Sequence, residues 1–228
     1  MIHENPLQVV QNVETKGKQV VKRRVFSRED LSRLLGVAGE RMPLYLTAAH
    51  TGLRRSELEC LQRGDVHLNA PAYINARAST TKNKKAAMLP LHDDVVSTLK
   101  GLRPASVFTG SLVFGEVFTN MYQLREFKQD LRKAGIPFLD EQDRRLDFHS
   151  LRYSLATSLG AHGVSARVIQ ELMRHSDMKL TNNIYRDVSL LPTVQAVQSI
   201  PSLLNGGTEM GTTNPDSRGA WPVTARRR

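Results

Sequence analysis

The sequence predicts a mainly α-helical domain with one small antiparallel β-sheet, an α+β fold. Apolar residues recur at helical spacing along most of the chain from Ser27 onward. Short β-prone pieces are confined to one stretch between Val66 and Leu91. Polar or turn residues punctuate each change of pattern. With 228 residues, 40% of them hydrophobic, the chain can bury one substantial core.

Residues 1–25 are polar and basic (Lys16, Lys18, Lys22, Arg23, Arg24) and read as a linker or arm. Ser27 with Asp30 resembles a capping box, opening a helix through about Gly39 that turns Leu31, Leu34 and Leu35 inward. Pro43 starts a second helix carrying Leu44, Leu46 and Ala48, and Thr51-Gly52 breaks it. Helical spacing resumes from Arg54 to Gln62, which puts Arg54 and Glu57 one turn apart. Ala72-Tyr73-Ile74 and Met88-Leu89-Pro90-Leu91 pair as a small antiparallel sheet around the basic turn Ser79 to Lys85. Helices are predicted at about 92–102, 118–134, 149–162, 165–174 and 178–187, and 190–200 keeps helical spacing. The folded domain is expected to span 26–204, and 205–228, rich in Gly, Thr, Asn, Pro and Ser, reads as a disordered tail.

Thirty-two Lys and Arg against 22 Asp and Glu give a net charge of +10, which favours a polyanionic partner, nucleic acid first. No apolar run approaches the length of a membrane span, and the N-terminus lacks the regions of a secretory signal. The expectation is a cytoplasmic, nucleoid-associated protein with no membrane partner. The single cysteine, Cys60, excludes an internal disulfide framework and is expected to pack as a small hydrophobe. No Cys/His spacing fits a structural zinc site.

Four pieces of sequence carry chemistry: Thr51-Gly52-Leu53-Arg54-Arg55-Ser56-Glu57-Leu58, the basic turn around Lys82, His149-Ser150-Leu151-Arg152, and His175 followed ten positions later by Tyr185. His149 and Arg152 lie at i and i+3 and so share one helix face, able to meet a single ligand. Arg55 reads as an ordinary surface arginine beside Arg54. Together the four pieces resemble the tyrosine recombinase (phage integrase) family, whose signature runs Arg, Lys, His-x-x-Arg, His, Tyr in that order. The resemblance extends from about Ser27 to Ile200.

The resemblance implies a division of labour. Arg54 and Arg152 clamp the scissile phosphate with bidentate, permanently charged guanidiniums. Glu57 orients the pocket, His175 hydrogen-bonds the phosphate, and His149 assists proton transfer. Lys82, eight residues before Pro90 on the hairpin, protonates the departing 5′ oxygen. Tyr185 is the nucleophile, its phenol activated by the surrounding positive field, leaving a 3′-phosphotyrosyl link and a free 5′ hydroxyl. One phosphodiester is exchanged for another, so no cofactor, metal or ATP is implied, and there is no Gly-x-x-x-x-Gly-Lys loop. The implied partners are double-stranded DNA, a homotetramer on two duplexes, and accessory DNA-bending proteins. Segment 190–200 is either a docking element for a neighbouring protomer or packs on its own domain.

The chain departs from the family pattern at three places. Tyr153 follows Arg152 where a basic residue is usual. Arg174 precedes His175 where glycine is usual, which alters the local turn or adds a phosphate contact. Ten positions, against a usual nine, separate His175 from Tyr185. Other readings remain. A truncated or decayed integrase acting as a non-catalytic DNA-binding module is one, because the family carries an N-terminal clamp domain and only about 25 residues precede this catalytic domain. A metal-dependent nuclease or transposase would need spaced carboxylates. The clusters present, Asp93-Asp94 and Asp140-Glu141 with Asp143, read as a helix start and an acidic loop. A type IB topoisomerase shares the chemistry.

Overall fold

The computed structural model describes residues 22–81, 85–102, 108–119 and 123–175. Eight α-helices and one three-stranded sheet occur among them. The predicted helix at 178–187, the segment 190–200, Lys82, Tyr185, the tail and most of the N-terminal arm lie outside the described residues.

Helix α1 (Arg28–Val37) begins as the sequence predicts, with the Ser27 hydroxyl accepting the Asp30 amide at 3.0 Å. It ends two residues earlier than Gly39, which instead opens a 3₁₀ turn, Gly39–Arg41, leading into α2 (Met42–Thr51). Pro43 lies in the first turn of α2, and Leu44, Tyr45 and Ala48 are buried. Helix α3 (Arg55–Glu59) is shorter than the predicted 54–62. Beyond it the chain is extended at Gln62, which bridges Leu112 while Val113 donates its amide to the Leu61 carbonyl at 2.9 Å, and then enters a 3₁₀ turn, Arg63–Asp65. Leu58 and Leu61 take the buried positions there, leaving Cys60 exposed rather than packed.

The sheet holds β1 (Val66–His67), β2 (Tyr73–Ala76) and β3 (Ala87–Pro90) in that order, antiparallel throughout. The β2–β3 pair was legible in the sequence, whereas β1 has two residues and is too short to show a period. Ile74 and Leu89 pair across the sheet and face the core. Helix α4 (Asp93–Gly101) follows. The predicted helix 118–134 is two helices, α5 (Gly115–Thr119) and α6 (Gln123–Lys133). Helices α7 (Phe148–Ala161) and α8 (Ala166–Met173) lie within a residue of their expected bounds.

The core lies where α1, α2, α6 and α7 meet. Phe127 sits edge-on to Tyr45 and to Phe148, with ring centroids 5.4 and 5.8 Å apart. Fully buried Asp130 is held by both forks of Arg41 at 2.7 Å and by the Tyr45 hydroxyl at 2.8 Å. A smaller cluster, Ala156, Ile169 and Met173, joins α7 to α8. These two cores fix the ends of α2, α7 and α8 against one another, and the candidate site side chains lie at or next to those ends.

Candidate active site

Gly52 ends α2 in the left-handed conformation, with φ +62° and its amide donating to Ala48 O at 3.0 Å. A Cβ there would stand 2.8 Å from Met173 Cε and 3.3 Å from Leu155 Cδ2. The turn is therefore pressed onto α7 and α8 without room for a side chain. Gly52→Ala is expected to destabilise the fold by about 2–4 kcal/mol, combining left-handed strain with overpacking, as a urea midpoint would show. An unchanged midpoint would mean the turn has slack.

Two residues on, Arg54 caps α3 in an extended conformation. Glu57, only 3% exposed, turns back to it: Oε2 accepts the Arg54 amide at 2.7 Å and Oε1 accepts Arg54 Nη1 at 3.1 Å. A third donor arrives from the end of α8, where Arg174 Nη2 lies 2.8 Å from Glu57 Oε2. Burial alone would raise the Glu57 pKa, but the Arg54 amide and the two guanidiniums together hold it below its ordinary value. Glu57 is thus a fixed anion that aims Arg54.

Helix α7 starts at Asp147, whose carboxylate accepts the Ser150 amide at 3.1 Å while Ser150 Oγ accepts the Asp147 amide at 3.1 Å. Arg23 and Arg145 also pair with Asp147, at 2.9 and 3.0 Å. This start places Arg152 inward at 3% exposure, where Nη1 donates to the Gly52 carbonyl and Nη2 to the Met173 carbonyl. Arg152 therefore ties the ends of α2 and α8 together. Burial and the charges of Arg54 and Arg174 press its pKa down to about 9, so it is still protonated at neutral pH. His149, one turn before it, opens onto a cavity of about 220 Å³ shared with Leu53, Arg55, Asp147, Phe148 and Arg152. Its pKa is lowered by crowding and then by the charges of Arg23 and Arg152.

Helix α8 ends in a Schellman turn: Arg174 donates its amide to Glu171 O and His175 donates its amide to Gln170 O, both at 3.0 Å. The left-handed position of that motif belongs to Arg174, φ 52° and ψ 43°, where glycine is the unstrained choice. His175 leaves the helix half-buried beside a cavity of about 330 Å³ shared with Lys85, Arg167, Gln170, Glu171 and Arg174. Desolvation, then Arg152 and Arg54, push its pKa down to about 4. Among the described residues the three guanidiniums of Arg54, Arg152 and Arg174 meet the single carboxylate of Glu57, an excess of positive charge that suits an anionic ligand.

These shifts set a sign for pH. Unfolded, His175 binds a proton near its ordinary 6.5, but folded it does so only near 4. Stability is therefore complete above about 6.5 and declines as pH falls toward 4; protonation of Glu57, depressed below its ordinary 4.5, removes more below that. Urea midpoints measured from pH 7 to 4 are expected to fall across this window, and His175→Gln is expected to lessen the decline, with His149 and His50, also lowered by burial, supplying the rest of it.

The structure brings together Arg54 and Glu57 at the start of α3, His149 and Arg152 in the first turns of α7, and His175 after α8: Arg152 bonds the carbonyls of Gly52 and Met173, each two residues before Arg54 and His175, and shares a cavity with His149. Lys82 and Tyr185 lie outside the described residues, and Lys85 is the hairpin lysine seen beside His175. Arg55 is not an ordinary surface residue: it lines the His149 cavity, half-buried, with its guanidinium 5.8 Å from the Phe118 ring centre. Nothing in the sequence distinguished it from a solvated neighbour of Arg54. Asp93, Asp94 and Asp140 follow the expected helix-start and loop roles, Asp140 pairing with Arg144 at 2.8 Å. Among the described residues, His50, His92 and Asp94 are a group of metal-binding type, but His92 Nδ1 already accepts the Asp94 amide at 3.2 Å as the cap of α4.

The model of the phage integrase family matches residues 26–190. The XerC-like tyrosine recombinase of Caldanaerobacter subterraneus subsp. tengcongensis is 27% identical over 218 residues, covering 78% of this chain and 54% of the relative. A tyrosine recombinase of Thermosipho africanus is 27% identical, covering 88% of this chain and 69% of the relative. The chain thus spans between about half and two thirds of these relatives' lengths. Among solved structures, the XerA recombinase superposes with a TM-score of 0.60 at 21% identity, covering 81% of this chain and 66% of that one. The catalytic domain of bacteriophage HP1 integrase gives 0.57 at 23%, covering 82% of this chain and all of that one. XerH bound to its difH substrate gives 0.55 at 19%, covering 82% and 55%.

Proposed function

The chain belongs to the phage integrase family of tyrosine recombinases, and we propose that it cleaves and rejoins DNA at specific sites through a 3′-phosphotyrosyl intermediate on Tyr185. The observation that carries this reading is that the Arg152 guanidinium donates to the Gly52 and Met173 carbonyls, which lie two residues before Arg54 and two residues before His175. Two guanidiniums at one place stabilise the charge that grows on the non-bridging oxygens of a phosphodiester under attack. In this reading Glu57 aims Arg54, His149 moves a proton at the mouth of the site, His175 donates to the phosphate, and Lys82 protonates the 5′ oxygen.

The bond energy stays in the phosphotyrosyl link, so the exchange proceeds without metal or ATP. Its partner is double-stranded DNA, as in the XerH complex, and strand exchange calls for a tetramer on two duplexes, with DNA-bending proteins as accessories. No described helix is long and apolar enough to cross a membrane, consistent with action at the nucleoid. A non-catalytic DNA-binding module is the weaker reading. Binding alone asks for charge at the surface, whereas Arg152 is buried and Glu57 and Arg174 are sequestered behind it.

The test is a nicked suicide duplex incubated with the protein in EDTA and without nucleotide. A denaturation-resistant protein–DNA adduct is expected. Its absence, or its loss on adding EDTA to an otherwise active mixture, would overturn the reading.

A further inference from the structure

Arg174 occupies a position that argues against a purely structural role. It holds the left-handed place of the Schellman turn, where a side chain is strained. It is 7% exposed, and its Nε and Nη1 are buried with no hydrogen-bond partner among the described residues. A buried ion pair so incompletely satisfied is poor value as a stabiliser, and glycine would give the same turn without strain. Arg174 Nη2 donates to Glu57 Oε2 at 2.8 Å, across 117 residues of sequence. Glu57 in turn holds Arg54 through amide and guanidinium.

We propose that Arg174 is a positioning residue of the phosphate site: it locks Glu57, and through it Arg54, and cancels the Glu57 charge so that Arg54 and Arg152 keep two undiminished positive charges. This rests on the strand-exchange reading above. A phosphodiester carries one negative charge, and the five-coordinate state reached on attack carries two. With Arg174 present, the three guanidiniums and the single carboxylate sum to two positive charges, matching that state. Without it the sum is one, and Glu57 repels the developing charge it adjoins. The effect therefore falls on the chemical step more than on binding.

Arg174→Gly relieves the strained turn but leaves buried Glu57 with one guanidinium fewer, so it is expected to fold with a lowered melting temperature and to bind duplex within about threefold. Its single-turnover rate of adduct formation should fall about 10–100-fold, somewhat less than the loss of a donor that touches the phosphate. Arg174→Lys, which keeps charge but loses the fork, should fall between the two. Adding Glu57→Gln to Arg174→Gly removes the uncompensated charge and should recover part of the rate, whereas two purely structural lesions would compound. His175 supplies a readout independent of activity. It is faced by Arg152 and His149 from α7, Arg54 from the α3 start, Arg174 beside it, Arg167 and Glu171 from α8, and Lys85 from the hairpin. Removing one of these cations should raise its midpoint in an NMR titration.

Wild-type cleavage and an unmoved His175 midpoint in Arg174→Gly would overturn the proposal and leave strand exchange standing. A wild type that forms no adduct would overturn strand exchange, and the His175 titration and the Glu57–Arg174 pairing would then decide the electrostatic link alone, an unmoved midpoint overturning it.

Discussion

Phenylalanine at position 185 is expected to abolish the covalent DNA adduct while leaving duplex affinity within about a few-fold of wild type. The phenolic oxygen is the one atom of the proposed machinery that becomes bonded to phosphorus, so nothing else in the chain can substitute for it at reduced rate. The surrounding cations contribute differently: each lowers the barrier, and losing one slows the reaction without ending it. Binding draws on the net charge of +10 spread over the chain, and Tyr185→Phe removes no cationic side chain from it. Denaturing gels of the suicide-substrate reaction read the first quantity and gel shifts the second. Adduct formed by the phenylalanine variant at the wild-type rate would place the nucleophile elsewhere. Adduct lost together with DNA binding would point to a structural role for Tyr185.

The fold was legible where the chain speaks locally. Ser27 before Asp30, Pro43 in a first turn and the glycine at 52 are short-range signals, and the helices they bound lie where the sequence predicts. Strand β1 was not legible because two residues are too few to show a period, and the early end of α3 because it depends on partners far along the chain, Leu112 and Val113. Cys60 shows a similar limit: a lone cysteine suggests burial, but the turn that closes α3 puts Leu58 and Leu61 inward and leaves the thiol outside.

In the site, the motif order picked out Arg54, Glu57, His149, Arg152 and His175, which the fold brings together. It could not show what holds them. The carbonyls that accept from Arg152 belong to Gly52 and Met173, backbone groups with no trace in a side-chain motif. Arg174 was visible only as a departure from glycine. Its ion pair with Glu57 depends on the α8 terminus meeting α3, which no local pattern encodes.

The second large effect is expected from Arg152→Lys. The Arg152 guanidinium does two jobs with one planar group. Two of its N–H bonds go to the Gly52 and Met173 carbonyls, at the C-terminal ends of α2 and α8 where backbone carbonyls lack helical partners. The guanidinium has five N–H bonds, so three are left for a phosphate. Lysine brings a single nitrogen with three N–H bonds and no fork, and cannot serve both carbonyls and a phosphate at once. One buried carbonyl left without a donor costs about 1–3 kcal/mol, so a lowered urea midpoint is expected. The rate of adduct formation should fall by about 10²–10³, as for loss of a preorganised oxyanion donor. Arg54→Lys separates the two roles. Arg54 is partly exposed and bonds Glu57 rather than a carbonyl, so it should lose comparable rate with a stability change under about 1 kcal/mol. Equal loss of stability in both variants would mean that the clamp is mainly scaffold, and an Arg152→Lys protein cleaving near the wild-type rate would remove Arg152 from the reaction.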